Sequence, residues 1–305
     1  MNRFFLLTLS LFFPLSMMGQ LPFQKTDVKD VMKKVADWQI AHQKDVKHGA
    51  LDWTNAALYM GMLDWAELAE TEMGDASYYD WLVKLGRRYG WQPDKRMYHA
   101  DDIAVGQVFI DLYNKYKDKN MLYPTQARAE WVVNHPSDGP MDLDYKKRET
   151  LERWTWCDAL YMAPPVYVKL YMLTGDKRFI KFMNKEYKAT YDLLFDKDER
   201  LFYRDSRYLT QKEANGAKVF WGRGNGWVLG GLAEMLQDFP KNDKNRKFYE
   251  ELFVTLSARV AELQSADGFW HASMLDPASY PSPETSATGF IVYALAYGVN
   301  EGLLD

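Results

Sequence analysis

An all-α fold, a barrel of helical hairpins, is what this sequence predicts, and three observations predict it. Apolar residues recur at helical spacing along most of the chain. Helix stops fall at Gly74-Asp75, Lys117-Asp118, Gly175-Asp176 and Asn242-Asp243. Between the stops, apolar segments rich in Gly and Ala alternate with more charged ones. The apolar members start near residues 53, 102, 157, 225 and 285, a period of roughly 50 to 65 residues that marks a repeat architecture. A helix that is apolar on all faces is buried, and its charged partner lies outside it. Two concentric rings follow, an (α/α)6 barrel with five inner and five outer helices in this chain. The last pair of a closed six-pair ring is expected to be lacking. The sequence stops at Leu303-Leu-Asp305, directly after an inner helix, and is read as truncated at its C-terminus.

The elements follow in order. Residues 1–19 read as a cleavable signal peptide, with Arg3 before an apolar run that ends near Gly19. The run is too short for a convincing membrane span. Residues 20–305 are expected to form one barrel domain, exported and periplasmic. Helices are expected over 27–43, 51–73, 78–89, 103–116 and 121–133. A polar loop over 134–153 leads into a helix that begins near Asp158 and runs to Thr174. Another helix spans 179–195. Residues 199–220 show no helical period, and Leu201-Phe-Tyr203 and Val219-Phe220 read as short strands. The remaining helices span 225–239, 246–264 and 284–300.

Bulk composition excludes some functions. A net charge of -4 gives no nucleic-acid footprint. The single cysteine, Cys157, has no partner for an intramolecular disulfide and reads as a buried structural residue. No HxxxH or HExxH pair, EF-hand loop or GxSxG elbow is present, so neither a metal nor a cofactor is expected. The 11 Trp and 20 Tyr exceed what a core needs and suit a carbohydrate cleft, where flat rings stack on sugar faces.

In such a barrel the inner helices enter from one face, so the loops before them converge. Those loops carry Trp53 and Asn55; His99, Asp101 and Asp102; Trp154, Trp156 and Asp158; Trp221, Arg223, Asn225 and Trp227; and Trp270, His271 and Glu284. Asp158 sits in Trp154-Thr-Trp-Cys-Asp-Ala-Leu-Tyr-Met-Ala-Pro-Pro165. The helix dipole there favours the ionised acid and the aromatic neighbours favour the neutral one. A carboxyl under opposed influences suits proton transfer; the other reading is a helix cap in an aromatic core. Of the adjacent pair, Asp101 is expected to cap its helix and Asp102 to point into the cleft as a second carboxylate. Trp221-Gly-Arg-Gly-Asn-Gly-Trp227 has three glycines that let backbone approach a ligand, an arginine that grips a carboxylate, and two stacking rings. The other reading of that segment is a turn with a surface arginine.

With those residues in view, the chain resembles the unsaturated rhamnogalacturonyl hydrolases of glycoside hydrolase family 105 and their relatives, the unsaturated glucuronyl hydrolases. The resemblance rests on A-D-D-I-A-V-G-Q at 100–107, W-C-D-A-L-Y-M-A-P-P at 156–165, W-G-R-G-N-G-W at 221–227 and E-T-S-A-T-G-F-I-V-Y-A-L at 284–295. It implies an (α/α)6 barrel that removes a Δ4,5-unsaturated uronic acid from lyase-generated oligosaccharides by hydrating its vinyl ether. It further implies that Asp158 is general acid and base and Asp102 the second active-site carboxylate. Trp221, Arg223 and Trp227 would hold the uronate, and Asn225, Trp156, Trp53, Tyr59, Asp101 and Arg204 complete the substrate-binding set. Many relatives have a histidine where Arg204 follows Leu201-Phe-Tyr203, and another shortly before the Trp-x-Asp, where this chain reads Arg153-Trp-Thr-Trp156. The added arginines, Arg204 and Arg207, fit a more acidic or sulfated substrate. A non-catalytic sugar-binding barrel and a sugar epimerase on the same fold remain alternatives.

Overall fold

The computed structural model describes residues 24–305. The signal peptide expected over 1–19 lies outside the described residues. Two compact units are present, one ending at Val46 and the other spanning Lys47–Asp305. The described part of the first is α1 (Lys25–His42) and a following turn of tighter helix. Val28, Val31, Val35 and Trp38, the apolar stripe of α1, are exposed.

The second unit is built from helical hairpins. Asp52 accepts the Thr54 N–H and starts α2 (Trp53–Met73), and Gly74, in the left-handed region at φ 68°, ends it. Next come α3 (Ser77–Arg88), α4 (Ala100–Ile103), α5 (Gly106–Tyr116) and α6 (Tyr123–Asn134). Then follow α7 (Ala159–Met162), α8 (Pro164–Thr174) and α9 (Lys177–Leu194). A two-residue hairpin pairs β1 (Phe195–Asp196) with β2 (Leu201–Phe202). The remaining helices are α10 (Gly222–Asp238), α11 (Arg246–Glu262) and α12 (Thr285–Asn300). Consecutive hairpins α2–α3, α5–α6, α8–α9 and α10–α11 pack as pairs, while α2, α5, α8, α10 and α12 pack side by side in that order. This is the inner and outer arrangement of an (α/α)6 barrel.

The inner helix α10 shows why small residues are needed here. Nearly all of it is buried. A Cβ on Gly231 would lie 2.4 Å from the Leu160 carbonyl oxygen, so α10 runs with its backbone against α7. Gly226 meets Ala287 of α12 in the same way, at 3.3 Å.

Two expectations are corrected. The single helix expected from Asp158 to Thr174 is broken at Ala163, because Pro164 and Pro165 lack N–H groups and begin a new helix instead of continuing the old one. Leu201–Phe202 is a strand as expected, but Val219-Phe220 is not: the chain there is held by an isolated bridge from Trp221 to Ser273, with the Met274 N–H donating to the Phe220 carbonyl at 2.9 Å.

Candidate active site

Asp158 occupies the position before the first residue of α7, yet its side chain makes no capping hydrogen bond. It is 9% exposed. Its carboxylate oxygen Oδ2 lies 3.4 Å from the thiol of Cys157. Burial raises its proton affinity above that of an ordinary aspartate, and the Arg204 guanidinium, the residue's own backbone N–H, the thiol and the Arg223 guanidinium act against that rise. The backbone around it is pinned: the Cys157 N–H donates to the Arg204 carbonyl at 2.8 Å, and Trp156 bridges Asp205.

Asp101 and Asp102 lie side by side at the start of α4 in different surroundings, and the expectation that Asp101 caps that helix is corrected. Asp102 is 2% exposed and fully engaged. Its oxygens accept the Arg96 backbone N–H at 2.6 Å, Nε at 2.9 Å and Nη2 at 2.5 Å. Asp101 does not cap α4; the His99 ring nitrogen Nδ1 accepts the Asp101 N–H and serves as the cap. One Asp101 oxygen is buried with no hydrogen-bond partner among the described residues. Burial first, then the charge of Asp158, push the Asp101 carboxyl up to about 8. His99 lies against Trp156 at 4.7 Å, and burial lowers its pKa to about 4, so it is neutral at physiological pH.

Two arginines, Arg204 and Arg223, act on Asp158 by charge from other elements. Arg223 sits over the Trp221 ring at 4.3 Å and its Nη1 donates to Glu284 Oε1 at 2.9 Å. Its Nε is buried without a partner among the described residues. Arg204 lies 5.4 Å from the same ring and donates to the Tyr145 hydroxyl at 3.0 Å. Arg204 and Arg207 share one fully buried carboxylate, Asp205, and Arg207 lies over the face of Tyr145 at 4.4 Å. Arg204, Tyr208, Trp221, Arg223, Ser273 and Tyr280 are among the residues lining a cavity of about 320 Å³.

Other expected site residues fall elsewhere. Asn225 is fully buried, and its amide is engaged with Phe202 N–H at 2.8 Å, Phe202 O at 3.1 Å and Trp221 O at 3.1 Å. It fastens β2 to α10 and has no exposed surface for a sugar. Tyr59 is likewise fully buried, edge-on to Trp81 at 5.6 Å. Trp227 is 2% exposed, packed by Tyr161, Phe290 and the edge of Trp53. Trp53 keeps a partly open face. Sequence reasoning missed Tyr145, in an irregular segment, and Tyr208, at the end of a single tight turn of helix over Ser206–Tyr208, neither marked by a pattern. It also missed Arg96, whose claim on Asp102 depends on a turn closing. Among the described residues no group of three or more His, Cys, Asp or Glu is placed to hold a metal ion, and no helix is long and apolar enough to cross a membrane.

Comparison with known proteins bears on the family and the fold. Residues 31–305 match the family described as Glycosyl Hydrolase Family 88. An unsaturated 3S-rhamnoglycuronyl hydrolase from Formosa agariphila is 37% identical over 299 residues, spanning 95% of this chain and 78% of that protein. A solved structure named as a polysaccharide lyase superposes with a TM-score of 0.81 at 31% identity, covering 92% of this chain and 79% of the other. A family 88 glycosyl hydrolase from Bacteroides vulgatus gives 0.77 at 26% identity, covering 91% and 80%.

Proposed function

This chain belongs to Glycosyl Hydrolase Family 88, and on that premise we propose that it removes a Δ4,5-unsaturated uronic acid from the non-reducing end of oligosaccharides by hydrating the vinyl ether. The observation that carries this reading is Asp158: a buried carboxyl, unused as a cap, with a raised proton affinity and two guanidiniums acting on it. Hydration across C4=C5 needs one group that gives a proton and then takes one from water. Neutral Asp158 protonates C4, forming the C4–H bond. The resulting carboxylate removes a proton from the water whose oxygen adds at C5. The hemiketal at C5 then opens, and the leaving sugar departs from C1. Asp101 and Asp158 sense each other's charge; two such carboxyls do not both ionise readily at neutral pH, so the pair keeps a proton available. Arg223, in contact with Trp221 and with an unpartnered buried Nε, is the group for the uronate carboxylate.

The leaving sugar is read from the other arginines. Asp205 neutralises one charge of the Arg204–Arg207 pair, which leaves a net positive patch beside Tyr145. An anionic leaving sugar fits that patch, as the 3S-rhamnoglycuronyl name of the relative does. Export to the periplasm, read from residues 1–19, would place the protein among lyase products.

The test is the ultraviolet absorbance of the conjugated uronate. Unsaturated disaccharides from rhamnogalacturonan, ulvan and glucuronan are mixed with the wild type and with Asp158→Asn. Wild type is expected to remove the absorbance, fastest where the leaving sugar is sulfated, and the variant to leave it intact. Persistence of the absorbance with all three substrates would overturn the hydration reading and favour a sugar-binding barrel. Equal rates on all three would remove the argument from the arginine patch.

A further inference from the structure

We propose that Cys157 is a positioning residue for Asp158, its thiol holding the carboxyl group in the orientation the reaction needs. This rests on the hydration reading for its catalytic meaning, and on geometry for its structural one. The thiol is the only side-chain hydrogen-bond donor to the Asp158 carboxylate among the described residues, with Sγ 3.4 Å from Oδ2. The groups that act on that carboxylate from other elements are charges, not bonded donors: Arg204 from the segment after β2, Arg223 from α10 and Asp101 from α4. Asp205 acts on the thiol itself.

This sulfur is closely packed. Cys157 is fully buried, its N–H donates to Arg204 O at 2.8 Å and its carbonyl accepts from Leu160 N at 3.0 Å. Gly224, the middle glycine of the Trp221–Trp227 segment, is where α10 passes the thiol. A Cβ there would sit 3.0 Å from Sγ and 3.0 Å from the Trp221 ring, so this glycine makes room for a sulfur on one side and an indole on the other. Burial raises the thiol pKa well above its usual value. It therefore stays protonated, a donor and not a nucleophile.

A thiol has a particular advantage in this place. A donor to the carboxylate stabilises the ionised form and lowers proton affinity. S–H is a weak donor, so it fixes the rotamer while leaving Asp158 able to hold the proton it must deliver. A hydroxyl would hold harder and depress the pKa further. A methyl group would donate nothing and leave the carboxyl to its own backbone N–H.

Two variants and two readouts test this. Cys157→Ser is expected to move the alkaline limb of kcat/KM to lower pH, and Cys157→Ala to move it to higher pH. For the alanine variant kcat should also fall roughly tenfold with KM little changed, the pattern of a mis-set catalytic group. The same opposite shifts are expected in the Asp158 carboxyl titration, followed by carbon NMR on aspartate-labelled protein and assigned with Asp158→Asn. That titration needs no turnover. Opposite NMR shifts in a protein that hydrates nothing would uphold the positioning and sink the activity. Identical Asp158 titrations in wild type and both folded variants would overturn the proposal and leave Cys157 as core packing.

Discussion

Asp101 and Asp102 are neighbours in sequence and opposites in environment. Asp102 answers the Arg96 guanidinium and backbone, while Asp101 keeps an unpartnered buried oxygen and senses Asp158. Their substitutions should therefore separate. Asp101→Asn removes the carboxyl that helps keep a proton on Asp158 and is expected to cut kcat by about 100-fold, the low end of acid–base effects, while leaving the protein folded. Asp102→Asn removes the charge that Arg96 binds and should cost about 2 kcal/mol in urea unfolding, with any loss of rate following from lost structure. A pH-dependence separates them too. The Asp101 pKa is raised in the fold to about 8, so stability is fully present below the unfolded aspartate pKa and is lost as pH rises towards 8. Asp101→Asn should accordingly gain melting temperature at pH 8 relative to pH 5 when compared with wild type.

The elements place these residues through close backbone packing. The short helix α7 carries Asp158 on its first turn, and α10 lies against it through Gly231. Gly231→Ala puts a methyl group within 2.4 Å of the Leu160 oxygen and 2.6 Å of Tyr161 Cα, contacts that backbone atoms cannot relieve by rotating a side chain. The expected cost is about 2–3 kcal/mol, read as a shift of the denaturation midpoint. A fall in kcat should accompany it as α7 is pushed away. The prolines that break α7 from α8 belong to the same design. They free the first turn from the long helix, so Asp158 can be set by the Arg204 carbonyl, which accepts the Cys157 N–H, and by the Cys157 thiol instead of by helix continuity.

At the scale of the molecule, the inner helices leave a second cavity of about 530 Å³, lined by Asp64, Asp111, Lys169 and Glu234 among others. Lys169 bridges Asp111 at 2.9 Å and Asp238 at 2.7 Å. Burial first, then Asp64, push the Glu234 carboxyl up to about 7, and burial, then Asp111 and Glu67, push Asp64 up to about 6. Both folded values lie above the unfolded ones. The fold therefore favours the protonated acids, and stability declines as pH rises from the unfolded carboxylate range to about 7. Glu234→Gln, a neutral mimic, should raise the melting temperature by about 2–6 °C at pH 8 and leave it unchanged near pH 4. A uniform gain across pH would mean that packing, not ionisation, sets the effect.

The sequence alone determined the hairpin repeat, the alternation of buried and charged helices, and the gathering of Trp154 to Asp158 with Trp221 to Trp227. Those are matters of period, composition and turn residues, which a chain states locally. It carried the family resemblance for the same reason, since the motifs are contiguous. What tertiary structure decided is which member of each motif is open to chemistry. Asn225 and Tyr59 read as ligands and turned out to be fully buried, Asn225 with its amide bonded to backbone, because β2 and α3 close over them. Asp102 is paired because Arg96 arrives from a turn six residues upstream, while the adjacent Asp101 keeps an unpartnered oxygen. Tyr145 joined the arginines from a loop without periodicity. Burial and bonding partners depend on what the rest of the chain brings into contact, and no local pattern encodes that.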